Sequence, residues 1–148
     1  MTGAASARGA PARRRLPALE RNTAAFWTGG GDGRLMICRC EACGRYLHPP
    51  LPRCPACGSG QTAPSPVSGR ARVASFTVNV QAWVPGLDAP FVFAAVELAE
   101  QAELYLFTNI IGCPVEAVRI GMPVEVRFEQ HGDVWLPMFA PPGDADGG

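Results

Sequence analysis

One short motif, present twice, constrains this chain more than anything else in it: Cys40-Glu-Ala-Cys43-Gly44 and Cys54-Pro-Ala-Cys57-Gly58. A C-x-x-C of this form turns the backbone so that amide N–H groups point at thiolate sulfur, and the glycine after it takes the positive φ the turn needs. Ten residues separate the two knuckles, which is enough to bring four sulfurs into one tetrahedron. A disulfide reading leaves the repeated C-x-x-C-G unexplained, and nothing marks the chain as secreted. A thioredoxin-like couple needs one C-x-x-C at the start of a helix after a strand; here there are two, in Pro-rich loop. Zinc and iron both accept four thiolates, and the spacing favours zinc. The expectation is one structural Zn²⁺ per chain, held by Cys40, Cys43, Cys54 and Cys57. Such a site contributes roughly 10–16 kcal/mol of apparent binding energy to a segment with little core of its own. With four protein ligands the metal has no open position, so it does not activate water.

The two remaining cysteines stand apart from the motif. Cys38 lies two residues before Cys40, where the knuckle cannot also use it, and reads as a buried thiol at a strand end. Cys113, in "IIGCP", has no His or acid near it in sequence and reads as a packed thiol, not a nucleophile.

Around the cysteine segment the chain divides by composition. Residues 1–18 are rich in Ala and Arg. No apolar run follows Arg13–Arg15, so they are not a secretory or twin-arginine signal; an organellar transit peptide would share their lack of acidic residues, and a disordered tail is the favoured reading. Residues 19–33 hold a short helix, "LERNTAAFW", ended by a glycine-rich hinge, "TGGGDG". Residues 34–64 carry the metal segment, opened by a short strand at 34–37. Residues 65–141 read as strands by alternation: 72–81, 91–98, 104–109, 123–129 and 134–139, with a helical turn within 113–121. Five strands with a short helix between the third and fourth match a small OB-type barrel. Residues 142–148 read as a disordered tail.

Charge excludes several functions. The formal net charge is zero, and all 13 basic residues are Arg. Schiff-base chemistry and a P-loop both need Lys, so neither is available. No apolar run is long enough to span a membrane, and a cytoplasmic location is expected. His48 and His131 read as solvated loop residues, and Glu97 as a strand-end carboxylate facing solvent. No G-x-S-x-G or nearby nucleophile–base pair is visible. A ribbon followed by an OB barrel raises a single-stranded nucleic-acid-binding module as the alternative. Such a module needs a basic groove with interleaved aromatics, yet residues 91–109 contain no Arg. Nucleic acid is therefore not the expected partner, and Phe76, Phe91, Phe93, Tyr105 and Phe107 read as barrel core and rim.

The pieces "AAFW…GRLMICRCEACGRYLHPPLPRCPACGS", "SGRARVASFTV", "FTNIIGC" and "VRIGMPVEVRFE", in this order and spacing, resemble one family. These are the acyl-CoA-associated proteins that join a rubredoxin-like zinc ribbon to an OB-fold, known as domain of unknown function thirty-five. The resemblance covers residues 19–141. It implies a mainly β chain: an N-terminal helix and a rubredoxin-like ribbon, then a five-stranded OB-fold barrel. It implies a non-catalytic accessory subunit of a thiolase-like enzyme (condensing, acyl-transfer or retro-aldol) that helps position acyl-CoA or an acyl-carrier substrate. It places Cys40, Cys43, Cys54 and Cys57 on the metal positions and Phe26 and Trp27 on the helix before the ribbon. Cys38 and the Arg-rich front depart from the commonest pattern. Phe26, Trp27, Tyr46, Leu47, Pro49 and Pro50 are the expected partner-binding residues, because the short segments carrying them have little local core to bury apolar side chains. Arg39, Arg45 and Arg53 bracket the ligands. They are read either as offsetting the negative tetrathiolate or as holding coenzyme A phosphates.

Overall fold

The computed structural model describes residues 16–82 and 88–143. The expected tails up to residue 15 and from residue 144, and the turn at 83–87, lie outside the described residues. Helix α1 (Ala24–Thr28) runs into a 3-10 turn (Gly29–Asp32). The ribbon follows with β1 (Leu35–Cys40), β2 (Tyr46–Leu47) and β3 (Thr62–Val67). The barrel is built from β4 (Arg70–Asn79), β5 (Phe91–Leu98), β6 (Tyr105–Ile110), a 3-10 turn (Val115–Ala117), β7 (Pro123–His131) and β8 (Val134–Ala140). Among the described residues the chain is thus mostly β with one short α-helix at their front.

The ribbon strands form a three-stranded antiparallel sheet in the order β2-β1-β3. Strand β3 is absent from the expected set and straddles the expected boundary between residues 64 and 65. Its sequence, TAPSPV, carries two prolines, which lack the N–H that a central strand needs. As an edge strand it pairs on one side only and tolerates them.

The barrel closes in the order β4-β5-β6-β8-β7, the OB arrangement. Strand β4 closes the barrel: it pairs with β5 from Ala71 to Asn79 and, on its other edge, with β7 at Arg70–Arg72, with a bulge between Val73 and Ser75. A bulge bends a strand and sharpens its twist, which a small closed barrel requires. Alternation fills the interior with Val73, Val92, Ala94, Val96, Leu98, Leu106 and Val124.

Ribbon and barrel share one core. Leu35 and Ile37 of β1 and Phe26 of α1 belong to the same buried cluster as the barrel residues. The opposite face of β8, with Val134, Leu136 and Met138, is covered by Trp27. Helical structure also continues through the glycine run expected to end it. Gly30 is buried, and a Cβ there would lie 2.6 Å from Phe128 Cδ1 and from Trp135 Cβ. At Gly30 glycine is required because the barrel surface approaches its backbone.

Candidate metal centre and surrounding surface

The two knuckles are built alike, atom by atom. In the first, Cys40 N–H donates to Arg45 O and Gly44 N–H to Cys40 O, each at 2.8 Å. In the second, Cys54 N–H donates to Ser59 O and Gly58 N–H to Cys54 O, again at 2.8 Å. Gly44 and Gly58 sit at φ +83° and +82°. Nothing lies within 4 Å of a Cβ built on Gly58, so the left-handed backbone and not space demands glycine. The motif extends one residue further back than the spacing alone shows. Arg39 Nε donates to Gly44 O, and Arg53 Nη1 to Gly58 O, both at 2.8 Å. Each arginine, one residue before its cysteine, ties down the carbonyl of its own knuckle's glycine.

These loops bring four sulfurs together. Cys40 and Cys57 Sγ are 3.6 Å apart, Cys43 and Cys54 Sγ 3.7 Å apart, and all four lie within 4.8 Å of one another. A tetrahedral metal with bonds of about 2.3 Å sets its sulfurs about 3.8 Å apart, so the donor set fits one such ion. The first cysteine of each pair is buried and the second exposed. The backbone N–H of Cys43 leads in lowering the Cys40 thiol to about 6. The backbone N–H of Cys57 leads in lowering Cys54. Cys57 is pushed up to about 11: the N–H of Ser59 favours its thiolate, but neighbouring Cys40, burial, Cys43 and Cys54 outweigh it. Four thiolates crowded together need a cation to coexist. The four cysteines are positioned to bind one metal ion and leave it no open coordination position.

Cys38 is not among them. It sits in mid-strand, half-buried, and lines a pocket of about 330 Å³ with Arg21, Phe26, Met36, Leu51 and Pro52. The expected strand-end burial is therefore replaced by a position at a cavity wall. Cys113 packs against the barrel core, and burial pushes its thiol up, the opposite of what a nucleophile needs.

The residues expected to meet a partner are placed unevenly. Phe26 is 8% exposed and Leu47 4%; both belong to buried clusters of the chain itself. Trp27 is half-buried against β8 and lies edge-on to Phe26, with centroids 4.7 Å apart. Tyr46 is half-buried beneath the Arg39 guanidinium, 4.7 Å from its ring centroid. Pro50 is half-buried, and Pro49 and Arg45 are exposed. His48 is not a solvated loop residue: its ring packs 5.0 Å from that of Phe26, and burial lowers its pKa. His131 pairs with Glu129 Oε1 at 2.8 Å.

Glu97 does not simply face solvent. Its carboxylate accepts from Glu103 N–H at 2.7 Å and from Arg72 Nε at 2.8 Å, and these hold it below the usual carboxylate range. Sequence reasoning also missed Gln101. Its Oε1 accepts from Tyr46 N–H at 2.8 Å and its Nε2 donates to Tyr46 O at 3.0 Å, so it acts as a strand edge for β2 and fixes the ribbon to the barrel. Among the described residues, no helix is long and apolar enough to cross a membrane.

Comparison with known proteins agrees with this geometry. Residues 27–63 match the family model described as the ChsH2 rubredoxin-like zinc ribbon domain, and residues 65–129 the ChsH2 C-terminal OB-fold domain. The chain is 37% identical over 131 residues to the probable enoyl-CoA hydratase alpha subunit of Thermomonospora curvata, covering 88% of this chain and 40% of that protein. It is 33% identical over 86 residues to the benzoylsuccinyl-CoA thiolase subunit BbsA of Thauera aromatica, covering 56% of this chain and 58% of that one. The chain thus spans 40% and 58% of the lengths of these two relatives. Among solved structures it superposes on the Ltp2-ChsH2(DUF35) aldolase with a TM-score of 0.78 and 35% identity, over 86% of this chain and 100% of that chain.

Proposed function

The chain belongs to the ChsH2 family of paired zinc-ribbon and OB-fold proteins, and from that premise we propose that it is a non-catalytic accessory subunit of a thiolase-like enzyme acting on acyl-CoA or acyl-carrier substrates. One observation carries the reading. The same ribbon-and-barrel unit is similar to parts of proteins named for hydratase, thiolase and aldolase chemistry. The names differ in reaction and share a multi-component enzyme and, for the hydratase and the thiolase, a CoA thioester, so the common element is read as serving these and not one particular reaction. The site chemistry supports this. A tetrathiolate metal has no position for substrate, and Cys113 is a raised, packed thiol.

Within this proposal the metal's part is to fix the ribbon's shape beside the barrel, which Gln101 then holds in register. Contact with CoA phosphates is open to Arg39, Arg45 and Arg53, all exposed; Arg39 and Arg53 each donate one N–H to a knuckle carbonyl and keep the others. The site of action is the cytoplasm, where acyl-CoA is made and used.

The test is a turnover assay with a panel of acyl-CoA thioesters, read by mass spectrometry. The isolated zinc-loaded chain is expected to leave every thioester intact. Adding it to the thiolase-fold enzyme of the same genome should raise that enzyme's rate. Catalytic turnover by the chain alone that disappears in one point variant would overturn the proposal.

A further inference from the structure

Strands β5 and β6 point aliphatic side chains inward and aromatic ones outward. Val92, Ala94, Val96 and Leu106 are buried, whereas Phe93, Tyr105 and Phe107 are 47%, 43% and 68% exposed. The rings of Phe93 and Phe107 stack with 5.8 Å between centroids and 11° between planes. Beside them opens a pocket of about 450 Å³, lined also by Trp27, Leu136, Pro137 and Met138. The barrel's packing does not require aromatics here, since they sit on the opposite parity from the core residues. Holding stacked rings in water is unfavourable unless something covers them.

We propose that this face is where the enzyme subunit docks, through an uncharged apolar surface with one side chain entering the pocket; the inference rests on the accessory-subunit reading above. Charge selects the occupant. The charged residues of β4, β5 and β6 are Arg70, Arg72 and Glu97, all at one end of the face. Arg72 and Glu97 are already paired. By register, the neighbours of the stacked pair are Thr77, Ala95 and Asn109, all uncharged. A nucleic-acid strand on this face would find almost no cation for its phosphates. A charged protein surface would bury its charges unpaired. A neutral apolar surface meets neither cost. An apolar aromatic centre with a polar rim is also the usual anatomy of a protein interface.

The experiment immobilises the purified thiolase-fold protein of the same genome and titrates the full zinc-loaded chain, wild type beside Phe93→Ala, Phe107→Ala and Phe107→Arg. Each variant is first checked for metal content and melting temperature; exposed positions should leave both unchanged. Each alanine variant is expected to weaken binding about thirtyfold, equivalent to about 2 kcal/mol, and Phe107→Arg to abolish it at micromolar concentration. If wild type binds and all three variants bind equally well, the docking face is wrong while the subunit reading survives. If wild type does not bind, both fall. Self-association of the chain that Phe107→Arg dissolves, with enzyme binding untouched, assigns the face to a second copy and overturns the proposal. So does salt-dependent binding of a single-stranded oligonucleotide.

Discussion

Replacing Gln101 with Ala tests how ribbon and barrel are joined. The side chain makes two hydrogen bonds to the backbone of Tyr46, at 2.8 and 3.0 Å. A bond of this kind nets about 0.5–1.5 kcal/mol, and leaving a buried backbone group unsatisfied costs about 1–3 kcal/mol. Tyr46 is only half-buried, so water recovers part of the loss, and the total comes to about 2 kcal/mol. For a chain of this size that lowers the melting temperature by about 4–8 °C. Gln101→Glu is at least as damaging at neutral pH. It keeps the acceptor for Tyr46 N–H but sets an oxygen against Tyr46 O. Calorimetric melts of zinc-loaded protein, with metal content measured in parallel, give the answer. Metal content should stay constant, because neither variant touches a ligand. A Gln101→Ala protein within about 0.5 kcal/mol of wild type, the range of an ordinary surface change, would show that the ribbon is held by core packing alone.

Cys40→Ser or Cys57→Ser should lose the metal while Cys38→Ser retains it, measured by elemental analysis; an empty site in Cys38→Ser refutes the ligand set. Gly30→Ala should destabilise by about 1–3 kcal/mol through overpacking, although helix propensity alone favours Ala by about 1 kcal/mol. Packing wins because the added Cβ meets Trp135 Cβ at 2.6 Å, an atom fixed to the backbone, and a raised melting temperature would contradict this. Glu97 is held below the usual carboxylate range, first by Glu103 N–H and then by Arg72. Its contribution to stability is complete above the unfolded pKa and is lost as pH falls through the lower, folded one. Glu97→Gln should accordingly flatten the acid limb of the stability–pH curve, and an unchanged slope in denaturant melts below pH 5 would count against the pairing.

What the sequence made visible is what local pattern encodes. The knuckle spacing marked the four cysteines that converge, because each pair and its glycine form one turn. Strand β5 matched its expected bounds and β7 and β8 came within two residues, because inward Val, Ala and Leu alternate with outward residues. Strand β3 escaped because its prolines hide any alternation, and only its edge position makes them tolerable. The arginine before each knuckle was seen as charge and not as a hydrogen-bond donor, although the repeated Arg-Cys-x-Ala-Cys-Gly was legible. Gln101 reaches a residue 55 positions away, and no local signal announces such a contact. The outward aromatics carried a readable sign in their parity relative to Val92, Ala94 and Val96, which marks them as surface and not core.

In the proposed role this chain works as part of an acyl-CoA enzyme and not alone. Size exclusion with light scattering, on zinc-loaded chain mixed with the thiolase-fold protein of the same genome at micromolar concentration, tests it most directly. One peak whose mass holds both chains, with the metal still bound, is expected. Separate elution of the two, with the metal site full, would contradict it.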